Sequence, residues 1–98
     1  MAKSILQKTK ECWFCGKQDG LHLHEIYFGT ANRKISIKNG FQVYLCSKHH
    51  NLGGLGKCVH QCIEMDLELK RACQRVYEQD HTREEFISLI GKSYIIED

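Results

Sequence analysis

Two short-spaced pairs, Cys12-x-x-Cys15 and Cys46-x-x-His49, stand 30 residues apart in a chain of 98. Thiolate sulfur and imidazole nitrogen are the ligands of tetrahedral zinc, and two such pairs let two separate segments each supply half of the tetrahedron. Cys12, Cys15, Cys46 and His49 are therefore expected to form a structural zinc cage. Cys58, Cys62 and Cys73 read as small buried hydrophobes, with Cys58, beside a glycine-rich loop, the one that could compete as a ligand. Three disulfides would be the alternative use of six cysteines, as in small secreted domains. The opening "MAKSILQKTKECWFCG" has no apolar stretch of the secretory kind, and metal binding is the better reading.

A second set of chemistry-bearing residues is histidine. In "LHLHEIYFG", residues 21–29, His22 and His24 alternate with leucines. On a strand both imidazoles share one face, and Leu21, Leu23 and Glu25 take the other. The pair could be metal ligands, a general base, or two polar residues facing water. His50 adjoins the cage ligand His49 and so points away from the cage; the cage ties its segment to the strand that carries His24, which makes the two plausible neighbours. His60 returns after the glycine loop and could close over the same spot. His24, His50 and His60 together would make an open site for a divalent ion able to polarise a phosphate and stabilise a leaving oxygen. Each ring taken singly is more simply a solvent-facing or hydrogen-bonded histidine.

These residues need elements to hold them. "LHLHEIYF" and "FQVYLC" are rich in apolar and aromatic residues and read as two strands of a hairpin. The polar segment "GTANRKISIKNG" reads as their connection, with Asn39-Gly40 as the turn into the second strand. "CWFCGKQDG" has the form of a zinc knuckle, in which Gly16 supplies backbone freedom. "LGGLGK" is a loop. A helix is predicted from about Val59 to Glu78 on the apolar spacing of Val59, Cys62, Ile63, Leu69, Ala72, Cys73, Val76 and Tyr77. A second, shorter helix opens with the capping box Thr82/Glu85 and closes at Gly91. Residues 1–10 are expected to be flexible, and "SYIIED" to pack back on the core. The sum is one α+β domain over residues 1–98, with a metal-site core at 12–60 and a helical part at 61–98.

Composition agrees with a small globular fold: 42% apolar, 27% charged and no proline. No apolar run approaches the length of a membrane span. The charge is uneven. Residues 1–60 hold nine Lys/Arg against three acids, a balance of +6; residues 61–98 hold five against nine, a balance of −4. The positive field falls on the half that carries the Cys/His sites, as binding of a polyanion requires, although a solvated basic face would look the same.

The succession CxxC, then "HEIYFGTANRK", then "LCSKHHN" is similar to zinc-bearing HNH endonucleases of the ββα-metal superfamily, especially short phage and prophage HNH-like proteins. The resemblance spans roughly residues 12–60. It implies a treble-clef-like, zinc-braced hairpin and helix that hold one divalent ion, Mg²⁺, Mn²⁺ or another, and cut or nick DNA. Cys12, Cys15, Cys46 and His49 match its structural zinc ligands, and His50 its final metal-binding histidine. His24-Glu25 stands where the family has a metal ligand followed by a base. Either His24 binds the ion and Glu25 takes the place of the base, or His24 is the base and His50, with His60 or Asn51, holds the ion. An imidazole with an ordinary pKa near about 6.5 is the better base at neutral pH than a carboxylate near about 4.3. His22 matches nothing in the pattern and reads as a bystander or a partner behind the ligands. The middle asparagine has two candidates, Asn32 and Asn39. Asn32, Arg33 and Lys34 are expected to meet phosphates.

The expectation is a phosphodiester-hydrolysing enzyme with DNA as its partner, no membrane association, cytoplasmic in a bacterial host cell, with a homodimer possible. A zinc-dependent nucleic-acid-binding module serving recombination, with the fold kept and the chemistry lost at Glu25, is the alternative. A purely structural or protein-binding zinc domain, presenting its acidic C-terminal helices, is a third.

Overall fold

The computed structural model describes residues 4–52 and 62–95, the side chains of 51 and 52 excepted. Its elements are β1 (Leu21–Glu25), α1 (Thr30–Asn39), β2 (Gln42–Cys46), a π-helical turn (Lys48–Leu52), α2 (Ile63–Tyr77) and α3 (Arg83–Ile90). The two strands form an antiparallel sheet in which His22 faces Leu45, His24 faces Val43 and Leu21 faces Cys46. Directly opposed residues share a face, so the histidines lie on the side carrying the fully buried Val43 and Leu45.

The segment between the strands is a helix, not the polar connection its composition suggested. Gly29 opens α1 at φ 101°, and Gly40 closes it at φ 74° with its N–H on the Ser36 carbonyl. Asn39-Gly40 is thus a helix stop, the other common use of a left-handed glycine. The helical spacing was obscured because α1 has only two large apolar residues, Ile35 and Ile37, and one of its buried contacts is polar. Ser36 is fully buried, donating its Oγ–H to the Tyr27 carbonyl (2.7 Å) and accepting the Tyr27 N–H (3.2 Å). That exchange pins α1 to the exit of β1.

Residues 4–13, partly expected to be flexible, run along the free edge of β2. Ile5 N–H donates to the Gly40 carbonyl (3.0 Å), and Ser4 Oγ–H donates to the Gln42 carbonyl. Tyr44 gives its N–H to Gln7 Oε1 (2.7 Å) and accepts from the Trp13 N–H (2.9 Å). An exposed strand edge invites pairing with other chains, and this segment covers it.

The core joins Ile26, Tyr27, Phe41, Val43 and Leu45 to Leu69 and Cys73 of α2 and Phe86 and Ile90 of α3. Tyr27 stands at its centre, in edge contact with Phe41 and Phe86 at 5.5 Å between ring centroids, its hydroxyl donating to the Lys70 carbonyl (2.5 Å). Burying a phenol requires such a partner. Within α2, Cys73 is buried as expected, but Ile63 faces solvent. The predicted start of this helix at Val59 lies outside the described residues. Thr82 and Glu85 make the reciprocal capping box, and Gly91 ends α3 in the left-handed region. Residues 93–95 pack back through Tyr94 N–H on Gln74 Oε1 (2.8 Å) and Arg71 Nε on the Tyr94 carbonyl (3.0 Å). The architecture is a small α+β fold. Among the described residues no helix is long and apolar enough to cross a membrane.

Candidate functional site

The knuckle turn is made by Gly16 N–H bonding the Cys12 carbonyl and Cys12 N–H bonding the Lys17 carbonyl, both at 2.8 Å, with Gly16 at φ 78°. It brings Cys12 and Cys15 beside Cys46, the last residue of β2, and His49 in the π-helical turn. The three sulfurs and the imidazole nitrogen all lie within 4.8 Å of one another. Cys15 Sγ is 3.7 Å from Cys46 Sγ, and His49 Nδ1 is 3.6 Å from Cys12 Sγ and 3.2 Å from Cys46 Sγ. A tetrahedral ion with bonds of about 2.3 Å to sulfur and about 2.0 Å to nitrogen gives edges of about 3.8 Å and about 3.5 Å. The cluster has the dimensions to hold a metal ion.

Its electrostatics point the same way. Burial opposes ionisation of Cys12, but backbone N–H groups of Cys46, Cys15 and Phe14 aimed at the sulfur outweigh it and bring the thiol down to about 6. At Cys15 the Lys17 N–H favours the thiolate, yet desolvation and the sulfurs of Cys12 and Cys46 raise its pKa above the usual value. Three thiolates so close repel one another, and a dication relieves that repulsion. Cys62 and Cys73 lie outside the cluster, and Cys58 outside the described residues.

The histidines form a second group. Strand alternation sets His22 and His24 on one face, and the turn after β2 sets His50 over them. His22 Nδ1 is 2.8 Å from His50 Nδ1. The His24 and His50 rings meet edge to face at 5.3 Å between centroids, with His24 only 3% exposed. His24 and His50 are thus neighbours, as the sequence suggests, and His22, which matched nothing in the family pattern, is bonded to His50. His60 lies outside the described residues. Among those described, Cys12, Cys15, Cys46 and His49 are the one set of three or more Cys, His, Asp or Glu side chains gathered closely enough for an ion. The three imidazoles do not make a second.

His24 and His50 line an open cleft of about 850 Å³. Glu25, Phe28, Arg33 and Lys34 line it too. The strand does turn Glu25 from His24, but the cleft wraps the end of β1 and reaches both. Glu25 Oε1 accepts from Arg33 Nε at 2.9 Å, so the cation expected to meet phosphate is already paired. Asn32 is committed elsewhere: its Nδ2 donates to the Ile90 carbonyl (3.2 Å), fastening α1 to α3. Asn39 Nδ2 donates to the Ile35 carbonyl within its own helix. Lys34 is exposed on the cleft.

Phe28 is the residue that sequence reasoning passed over. It lies just past β1, is 46% exposed, and has Lys70 Nζ 4.3 Å from its ring centroid. The available signal was the adjacency of Tyr27 and Phe28 at a strand end, where one ring enters the core and the next cannot follow it. Comparison with protein-family models, curated proteins and solved structures gives no match for this chain.

Proposed function

We propose that the chain is a zinc-braced, metal-dependent DNA endonuclease or nickase of the HNH type, its β1–β2–turn portion a variant of the treble-clef-like ββα-metal unit. The observation that carries the reading is the contact of His24, from β1, with His50, from the turn after β2, in a cleft next to a Cys₃His cluster. A zinc ion held by Cys12, Cys15, Cys46 and His49 would fix the knuckle against that turn, and so fix His50.

In this reading His24 takes the proton from the attacking water. An imidazole is matched to that task near neutral pH. Glu25, in ion pair with Arg33, positions that guanidinium and is not the base. His22, through its bond to His50, sets the orientation of the His50 ring. Lys34 meets a phosphate of the bound strand. The resemblance adds a divalent ion, Mg²⁺ or Mn²⁺, that His50 and His60 would hold and that would stabilise the leaving oxygen.

The test is nicking of supercoiled DNA by zinc-loaded protein in Mg²⁺, Mn²⁺, Ni²⁺ or Co²⁺. Wild type converts it to open circles and His24→Ala does not. No conversion in any of these ions, or equal rates for the two proteins, defeats the reading. A second reading, a nucleic-acid-binding zinc module that has lost catalysis, draws on the Glu25–Arg33 pair and on the lack of a second ion cluster among the described residues. It expects salt-sensitive DNA binding and one zinc per chain, with no cleavage.

A further inference from the structure

The cleft beside His24 has an apolar wall that phosphodiester hydrolysis by itself does not require. Phe28 is 46% and Leu23 37% exposed, and Ile37 of α1 also lines the cleft. Together they give the cleft an apolar side on which a flat ring can lie. Phe28 is also held in place. Lys70 sits over its ring, and Lys70 is itself fixed by Asp66 Oδ2 at 2.5 Å. An aromatic ring secured by a buried ion pair and presented to a cleft needs little further ordering to act as a stacking platform.

We infer that the cleft takes an unpaired nucleotide of DNA, the base stacking on Phe28 and the adjoining phosphate lying against His24 and Lys34. This rests on the nuclease reading and names its substrate class: distorted or single-stranded DNA in preference to a continuous duplex. Charge chooses the occupant. Glu25 and Arg33 on that wall neutralise each other, so the wall offers a backbone phosphate no net attraction, whereas a neutral base can lie against it. Lys34 leaves a cation on the cleft for the phosphate. Depth agrees, because His24 is 3% exposed and its ring lies 6.1 Å from that of Phe28. In a duplex the base faces are already stacked on one another and only their edges are offered. An unpaired nucleotide can turn its base onto an aromatic face, as in proteins that bind single strands through basic grooves and aromatic platforms.

The test uses the zinc-loaded full chain and two DNAs of equal length. One is fully paired; the other carries a short bubble containing a fluorescent adenine analogue. Wild type is expected to bind the bubble about tenfold or more tightly and to quench the analogue. Phe28→Ala should lose roughly 5- to 150-fold of affinity for the bubble, the range of one base–aromatic stack, and little for the duplex. Phe28→Tyr should restore both preference and quenching, which separates stacking from a fault in folding. Equal affinity for the two DNAs, or a Phe28→Ala protein that keeps the bubble preference, overturns the inference. Nicking of paired DNA without preference does so too, while leaving the nuclease reading in place. A folded, zinc-loaded chain that binds neither DNA overturns both.

Discussion

His22 Nδ1 lies 2.8 Å from Nδ1 of His50, across from the ring that His24 turns toward the same residue. Two imidazole nitrogens at that distance share one proton, one ring donating and the other accepting, so each fixes the tautomer and rotation of its partner. His22→Ala should therefore lower the nicking rate about tenfold with the thermal midpoint unchanged, and His22→Asn should recover part of it. His24→Ala should cost about 10²–10⁴-fold, the usual worth of a general base. Equal losses for His22→Ala and His24→Ala would make His22 a direct participant.

Removing the cluster's metal should unfold much more than a loop. Structural zinc contributes about 10–16 kcal/mol apparent at neutral pH in small domains, comparable with the whole stability of a fold this size. The sign with pH follows from Cys12. Its thiol is brought down to about 6 in the fold from an ordinary value of 9.0, so the thiolate is stabilised by folding. That contribution is fully present only above the unfolded value and is lost as pH falls through the folded one. Zinc should stay bound at pH 7.5 against a weak chelator and be released near pH 5, read with a coloured zinc indicator. Cys46→Ser should show no such threshold and melt early at both pH values.

Thiol chemistry separates the cysteines of the cluster from those of the core. Burial pushes Cys73 up to about 12, only partly offset by its contact with Tyr27. Cys15 is exposed, and a zinc ion in the cluster would engage its sulfur. Alkylation followed by peptide mass spectrometry should leave Cys12, Cys15, Cys46 and Cys73 unmodified in loaded protein. On partial chelation Cys15, the exposed member of the cluster, should be labelled first and Cys73 last, only as the chain unfolds. Early labelling of Cys73 would contradict the core packing described for α2.

The cluster and α3 were legible because their signals are local: a ligand pair three residues apart, or Thr82 followed three residues on by Glu85. The shared face of His22 and His24 was legible for the same kind of reason, since period-two alternation carries its own face. Helix α1 was not. Its hydrophobic spacing is weak, its buried contact is a serine, and its stop signal, Asn39-Gly40, is equally a hairpin signal. Its helicity is secured by long-range contacts, Ser36 on Tyr27 and Asn32 on Ile90, which no window of sequence displays. The partners of the site residues were hidden for that reason as well. Glu25 and Arg33 are close only because the seven residues between them include the first turn of that helix.

That ion pair makes the three residues Asn32, Arg33 and Lys34 behave differently, although the sequence presents them as one basic run. Asn32→Ala removes the tie from α1 to α3 and should cost about 1 kcal/mol of stability with DNA affinity unchanged. Lys34→Ala removes a cation from the cleft rim and should weaken binding to all sequences alike, reducing the slope of log affinity against log salt by about one. Arg33→Ala should weaken binding further, because it both removes a cation and leaves the Glu25 carboxylate facing the bound strand without its counter-charge. The exposed pair itself is worth little to the fold, about 0–1 kcal/mol, so the effect will be on binding and not on the melting temperature. Glu25→Gln is the decisive complement. If Glu25 acts through Arg33, that variant frees the guanidinium for phosphate and should bind DNA more tightly than wild type while keeping its nicking activity. If Glu25 is instead the base, as the alternative register of the family pattern has it, Glu25→Gln should abolish nicking at unchanged affinity, and His24 would return to the role of metal ligand.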